Sequence, residues 1–144
     1  MTNKIKVAVI GAGMMGKNHL KMYQTLQSVE LVGVYDIFED AAKTVAETFG
    51  IKAFKSLEEV AQNVDAVSVV TTSVTHAEVG EFFLNKGIHC LIEKPLATTQ
   101  EECQRLINAA QRTMLFCLSA ILSALIRRLS SFQKSWRILL KSVH

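Results

Sequence analysis

At 144 residues and a formal charge of +3, the chain has room for one domain. Hydrophobic residues make up 49% of it and charged residues 20%, which excludes a disordered or collagen-like protein. The charge is uneven: residues 1–112 hold 11 Lys and Arg against all 13 acids, whereas residues 113–144 hold five basic residues and no Asp, Glu, Asn, Gly or Pro.

The first 112 residues alternate between two periodicities. Lys4–Ile10 is a β-branched run ending in glycine, which predicts a strand buried on both faces. Gly11–Leu26 opens with a glycine turn and continues in a helical pattern through Met15, Leu20, Tyr23 and Leu26. Leu31–Asp36 is a second strand. Phe38–Phe49 is a helix with Ala41, Ala42, Val45, Ala46 and Phe49 on one stripe and Gly50 as its stop signal. Lys52–Phe54 is a brief strand, followed by a short helix over Leu57–Gln62. Asp65–Val70 is a fourth strand, Thr75–Asn85 its following helix, closed by Gly87, and Ile88–Ile92 a fifth strand. Thr98–Gln111 is a helix with Thr98 or Thr99 as cap and Glu101 and Glu102 in its first turn, where the helix dipole favours them. Strand and helix alternate throughout, so the expected fold is α/β, a Rossmann-like doubly wound parallel sheet.

Gly11-Ala12-Gly13-Met14-Met15-Gly16 forms a G-x-G-x-x-G pattern between the first strand and first helix, and Asp36 lies 20 residues after Gly16 at the tip of the second strand. Gly11 permits the turn, Gly13 lets backbone approach a pyrophosphate, and Gly16 lets helix and strand pack closely, while the helix N-terminus offers N–H groups to the anion. Asp36 can accept hydrogen bonds from an adenosine ribose diol and repels a 2′-phosphate, which favours NAD over NADP. Met14 and Met15 in the turn, and Ile37 beside Asp36, join the candidate cofactor contacts. Thr71, Thr72, Ser73 and His76 follow the fourth strand, at the crevice where open α/β sheets bind ligands. The Thr75 hydroxyl serves equally well as a helix cap, and His76 is expected to face the crevice. Glu93-Lys94-Pro95 ends the fifth strand. A cationic amine beside a carboxylate suits a substrate hydroxyl or a nicotinamide ribose, the alternative being a surface ion pair. His19, placed on the exposed side of the first helix or near its packing edge, and His89 receive no role, and no metal site is expected.

Taken together, Gly11–His19, Val34–Asp36, Thr71–His76 and Glu93–Ala97 resemble the nucleotide domain of the glucose–fructose oxidoreductase, inositol dehydrogenase and MocA family. The resemblance covers residues 4–112. It implies NAD(P)-dependent dehydrogenation of a sugar or cyclitol hydroxyl, with Lys94 matching a lysine that contacts nicotinamide ribose and substrate, and Glu93 its neighbour near the cofactor. Thr72-Ser73 stands where many members have Pro-Asn. Members continue into a second α/β domain that binds substrate and supplies an acid/base histidine, and no counterpart follows residue 112 here.

Residues 113–144 instead carry apolar side chains at heptad spacing (Leu115, Leu118, Leu122, Leu125, Leu129, Phe132, Trp136), which predicts a basic helix over Met114–Leu140. Codons that encode Ser119–Arg127 also permit Gly-His-Ile-Glu-Arg-Phe-Asn-Pro in another frame, a peptide resembling the family's continuation in members acting on UDP-N-acetylhexosamines. The expectation is a one-base frameshift near Arg112–Thr113, giving a nucleotide domain over 1–112 and an atypical tail over 113–144. Such a tail could act as a coiled coil or a basic membrane-surface helix, but the favoured expectation is an accidental amphipath that covers the sheet edge left by the missing strand or self-associates into a homo-oligomer.

The three cysteines, Cys90, Cys103 and Cys117, match no zinc spacing and suit a reducing cytoplasm. Met1–Lys6 runs into a strand and not an apolar leader, and the longest uncharged stretch, Thr113–Ile126, is shorter than the roughly 18–20 residues of a membrane span. Neither a membrane nor a nucleic acid is an expected partner; a nicotinamide dinucleotide and, in the full-length family, a sugar or nucleotide sugar are. Three functions compete: a cofactor-binding part of an oxidoreductase that does not turn over alone, a stand-alone NAD-sensing module whose tail recruits a partner, and a small dehydrogenase that completes its site by oligomerising.

Overall fold

The computed structural model describes residues 4–113 and, for the backbone alone, 117–119. The elements run β1 (Ile5–Ile10), α1 (Met14–Gln24), β2 (Val29–Tyr35), α2 (Glu39–Phe49), β3 (Lys52–Ala53), α3 (Leu57–Ala61), β4 (Ala66–Val69), a single 3-10 turn (Ser73–Thr75), α4 (His76–Asn85), β5 (His89–Ile92), α5 (Gln100–Thr113) and β6 (Cys117–Ser119). All strand pairs are parallel, in the order β3-β2-β1-β4-β5-β6. The order reverses between β1 and β4, so the crevice of this sheet lies beyond their carboxyl ends, where Gly11 and Thr71 begin their loops.

Alternation along the strands splits the core in two. Ala8, Ile10, Val67, Val69 and Ile92 pack with Val60, Phe83, Leu84 and Leu106 beneath α3, α4 and α5. Val9, Val34 and Val70 pack with Leu20, Val45 and Ala46 beneath α1 and α2. Ser68 lies between Val67 and Val69 in β4, on the face that α1 covers, and is fully buried. Helix ends follow local chemistry. Gly50 caps α2 in the left-handed region (φ 65°) and Ser56 Oγ caps α3 by accepting from Glu59 N. At α5, Thr99 Oγ1 accepts from Glu102 N while Glu102 Oε2 accepts from the N–H groups of Thr98 and Thr99.

One expectation changes here. Heptad spacing predicts helix from Met114 onward, yet Cys117–Ser119 is a strand, pairing with Cys90–Ile92 of β5. The outer edge of β5 presents backbone donors and acceptors that a parallel neighbour satisfies, and a helix at those positions leaves them open. The remaining tail, with its leucine spacing from Leu122 to Trp136, lies outside the described residues.

His89 at the start of β5 gives a pH prediction. Burial holds its imidazole below the ordinary value, with nearby Asp65 opposing the shift. The unfolded chain therefore binds the proton more readily, so His89 lowers stability as pH falls below about 6.5 and contributes nothing above it. His89→Asn is expected to flatten the decline in melting temperature between about pH 7 and pH 5, measured by circular dichroism. An unchanged slope would show that His89 does not cause it.

Candidate functional site

The turn after β1 is built by three glycines with different duties. Gly11 has φ 113°, and a Cβ there would stand 2.6 Å from Val70 O. A Cβ on Gly16 would overlap the Gly11 carbonyl oxygen, so α1 can rise this close to β1 only from a glycine. Gly13, the residue before α1, has ordinary backbone angles and nothing within 4 Å of its Cβ position. No side chain caps α1, and among the described helices longer than one turn it alone has no acid in its first turn. The result is a row of N–H groups facing an open space that favours negative charge.

Asp36, just beyond β2, closes one side of that space. Its Oδ2 accepts from Ala12 N at 2.8 Å and its Oδ1 from Phe38 N at 2.9 Å. The carboxylate is thus fixed against the glycine turn and partly exposed, with lone pairs left for a ligand. Exposed apolar side chains rim the same end of the sheet: Met14 (81% exposed), Met15, Ile37, Phe38 and Val74.

The loop after β4 is held by its own hydroxyls. Thr75 Oγ1 donates to Thr71 Oγ1 (2.8 Å) and lies 2.8 Å from Thr72 O, so it braces the 3-10 turn and does not cap α4. His76 also departs from expectation. It does not face the crevice but is 1% exposed, with Nδ1 2.7 Å from Pro95 O and Nε2 3.1 Å from Thr71 O. The ring sits at the first turn of α4 beneath the two loops and ties one to the other, which removes it from direct ligand contact. Thr72 remains exposed and Thr71 and Ser73 partly so.

After β5, the Lys94–Pro95 peptide is cis. The Glu93 carboxylate and the Lys94 ammonium form no ion pair, although Glu93 Oε2 accepts from the Lys94 backbone N–H at 3.2 Å. Glu93 turns inward, its side chain 14% exposed, and Oε1 meets His19 Nε2 at 2.8 Å. Lys94 is exposed, and no ion pair among the described residues engages it. His19, expected on the exposed side of α1 or near its packing edge, is on the packed side and buried, with Nδ1 3.1 Å from Ser68 Oγ, which in turn lies 2.5 Å from the Tyr23 hydroxyl. A signal was present: His19 and Tyr23 are four residues apart and so share one helix face, the one turned to the sheet. Among the described residues no cluster of His, Cys, Asp or Glu is placed to hold a metal ion, and no helix is long and apolar enough to cross a membrane.

A family model described as "Oxidoreductase family, NAD-binding Rossmann fold" matches residues 5–120. The chain is 39% identical over 107 residues to UDP-N-acetylglucosamine 3-dehydrogenase of Acidithiobacillus ferrooxidans, a match covering 74% of this chain and 34% of that one. A solved structure of UDP-N-acetylglucosamine 3-dehydrogenase from the same organism superposes with a TM-score of 0.80 at 34% identity, over 93% of this chain and 42% of the other. GenD2 from gentamicin A biosynthesis, solved in complex with NAD, gives 0.78 at 28% identity over 83% and 35%. The chain spans about a third of the length of the curated relatives it matches.

Proposed function

Because the chain belongs to the glucose–fructose oxidoreductase, inositol dehydrogenase and MocA family, with its NAD-binding Rossmann fold, we propose that it binds NAD in the crevice beyond β1 and β4 as the cofactor domain of an oxidoreductase acting on a sugar or cyclitol hydroxyl. One observation carries this reading: the uncapped N-terminus of α1 opens at Gly13, and Asp36 is bonded to the same turn. The residues fit such a group, since a Cβ at Gly13 would fill the space a diphosphate needs and the chain keeps that space clear.

In this reading the N–H groups of Met14, Met15 and Gly16 hold the diphosphate, and Asp36 accepts from the adenosine ribose hydroxyls. Met14 and Ile37 cover apolar ligand surface, and Thr71, Thr72 and Ser73 border the crevice at its centre. His76 keeps the Thr71 and Pro95 loops together from below. A bound nicotinamide would supply the hydride acceptor for oxidation of a carbinol carbon. Lys94, exposed and free of a carboxylate partner, donates hydrogen bonds to the nicotinamide ribose or the substrate hydroxyl and orients it. The Glu93 carboxylate is engaged instead by His19 Nε2 through one oxygen and by the Lys94 backbone N–H through the other. The similarity to UDP-N-acetylglucosamine 3-dehydrogenase favours a nucleotide-sugar branch, acting in the cytoplasm. Residues 113–144 are read as the product of a shifted frame beginning near Arg112, and sequencing the encoding DNA tests that.

Calorimetry with NAD, NADP and ADP tests the assignment. NAD is expected to bind at least about tenfold more tightly than NADP, because a 2′-phosphate would meet the Asp36 carboxylate. Equal affinity for both would remove Asp36 from the ribose, and no binding of NAD or ADP would overturn the reading. Assays with UDP-N-acetylglucosamine, myo-inositol and glucose are expected to show no turnover by this chain alone, since Lys94 is the one candidate here for contact with the reacting hydroxyl and efficient hydride transfer needs the substrate positioned as well. Robust turnover would make the chain a complete enzyme.

A further inference from the structure

Tyr23, Ser68, His19 and Glu93 form one continuous polar chain through an otherwise apolar layer, from the last turn of α1, across β4, to the end of β5. Every link is short: 2.5 Å from Tyr23 Oη to Ser68 Oγ, 3.1 Å from Ser68 Oγ to His19 Nδ1, and 2.8 Å from His19 Nε2 to Glu93 Oε1. Among the described residues no buried side-chain nitrogen or oxygen lacks a partner, so the chain is a satisfied network. Its direction follows from the end that can only accept. The Glu93 carboxylate accepts a hydrogen bond from His19 Nε2–H, His19 Nδ1 then accepts from the Ser68 hydroxyl, and Ser68 Oγ accepts from the Tyr23 hydroxyl.

Burying His19 and Ser68, with Tyr23 and Glu93 half-buried beside them, where Val9, Leu20 and Val70 pack nearby is costly unless the arrangement does something apolar residues cannot. What it does here is geometric. His19 stands on the helix whose first turn borders Gly13, and Glu93 immediately precedes Lys94. We propose that His19 is a positioning residue, which draws the Glu93 carboxylate inward and thereby leaves the Lys94 ammonium unpaired and aimed at the nicotinamide end of the crevice. The same bond ties the helix of the glycine turn to the Glu93–Lys94–Pro95 turn across β4, so the two ends of the crevice are held in one fixed relation. Without His19, Glu93 swings out and pairs with Lys94. This inference rests on the cofactor reading above, and its test separates the two.

In the first arm, NAD and ADP affinities are compared in the unsubstituted chain, His19→Ala, His19→Gln and Glu93→Gln. ADP reports the glycine turn and Asp36 alone, whereas NAD also reports the Lys94 end. His19→Ala is expected to weaken NAD about tenfold while ADP changes by less than about twofold, the loss of a hydrogen bond to a charged group. His19→Gln, whose amide can still donate to Glu93, restores most of the loss. Glu93→Gln, which cannot pair with Lys94 as an ion, keeps most of the NAD affinity even when combined with His19→Ala. A parallel fall in NAD and ADP makes His19 a packing residue only, and no change in either removes it from the site; both overturn the proposal while leaving cofactor binding intact. In the second arm, nitrogen-15 spectra of the ligand-free chain read the His19 ring. The expected result is the Nε2–H tautomer, with shifts that move on Glu93→Gln. An Nδ1–H tautomer, or shifts that ignore Glu93→Gln, overturns the proposal even if the chain binds no dinucleotide.

Discussion

Gly16→Ala is expected to destabilise the domain by about 3 kcal/mol, toward the upper end of what an overpacked methyl costs. The new Cβ would fall on the Gly11 carbonyl oxygen, lie 3.0 Å from the Gly11 carbonyl carbon and press on Val70 Cγ2 at 3.5 Å. Two of those neighbours are backbone, and they belong to a residue already at φ 113° with its own N–H bonded to Tyr35 O at 2.7 Å. The turn cannot give without breaking that bond or lifting α1 off the sheet, which would open contacts around Leu20. Against a total stability of roughly 5–15 kcal/mol, such a loss lowers the melting temperature by about 10–20 °C in a domain of this size. Thermal and urea unfolding check it. A melting temperature within about 2 °C of the unsubstituted chain would mean that helix and strand are not in the close register described.

Gly13→Val separates ligand from fold at a glycine three residues away. Nothing lies within 4 Å of its Cβ position, and its φ of −70° is open to any residue. The fold should lose less than about 1 kcal/mol, the scale of a poorer residue at a helix N-cap. NAD affinity should fall by about 100-fold, close to 3 kcal/mol, because the isopropyl group occupies the approach to the N–H groups of α1. Calorimetry on a variant shown by its melting curve to be folded decides the matter. Undiminished NAD binding would place the diphosphate elsewhere, and unfolding would make Gly13 a structural glycine like its neighbours.

The parts of this molecule legible in the sequence are those governed by local rules. Val7, Val9 and Ile10 announce a strand buried on both faces, and Gly11 to Gly16 announce a turn, because backbone conformation and close approach there depend on residues adjacent in the chain. Gly50 and Thr99 mark helix ends for the same reason. The histidines were opaque because their roles depend on partners far away in sequence. His19 meets Glu93 from 74 residues away and His76 meets Pro95 from 19. Neither distance has a periodic signature. Lys94 beside Glu93 reads as a pair on paper, and only the third dimension supplies the competing donor. The strand at Cys117–Ser119 was hidden for a different reason: leucine-rich text suits helix and sheet alike, and an open edge on β5 decides between them.

The Asp36 carboxylate also has a consequence for how cofactor preference can change. The oxygen atoms assigned to the ribose are the ones that accept from Ala12 N and Phe38 N. Exchanging Asp36 for a side chain without acceptor oxygens to admit a 2′-phosphate therefore also releases the Ala12 N–H of the glycine turn and the Phe38 N–H, leaving both to find new acceptors. A designed switch of coenzyme is expected to need paired substitutions, one to welcome the extra phosphate and another to refasten the loop. Single mutants at this position are expected to trade discrimination for a slacker grip on either coenzyme.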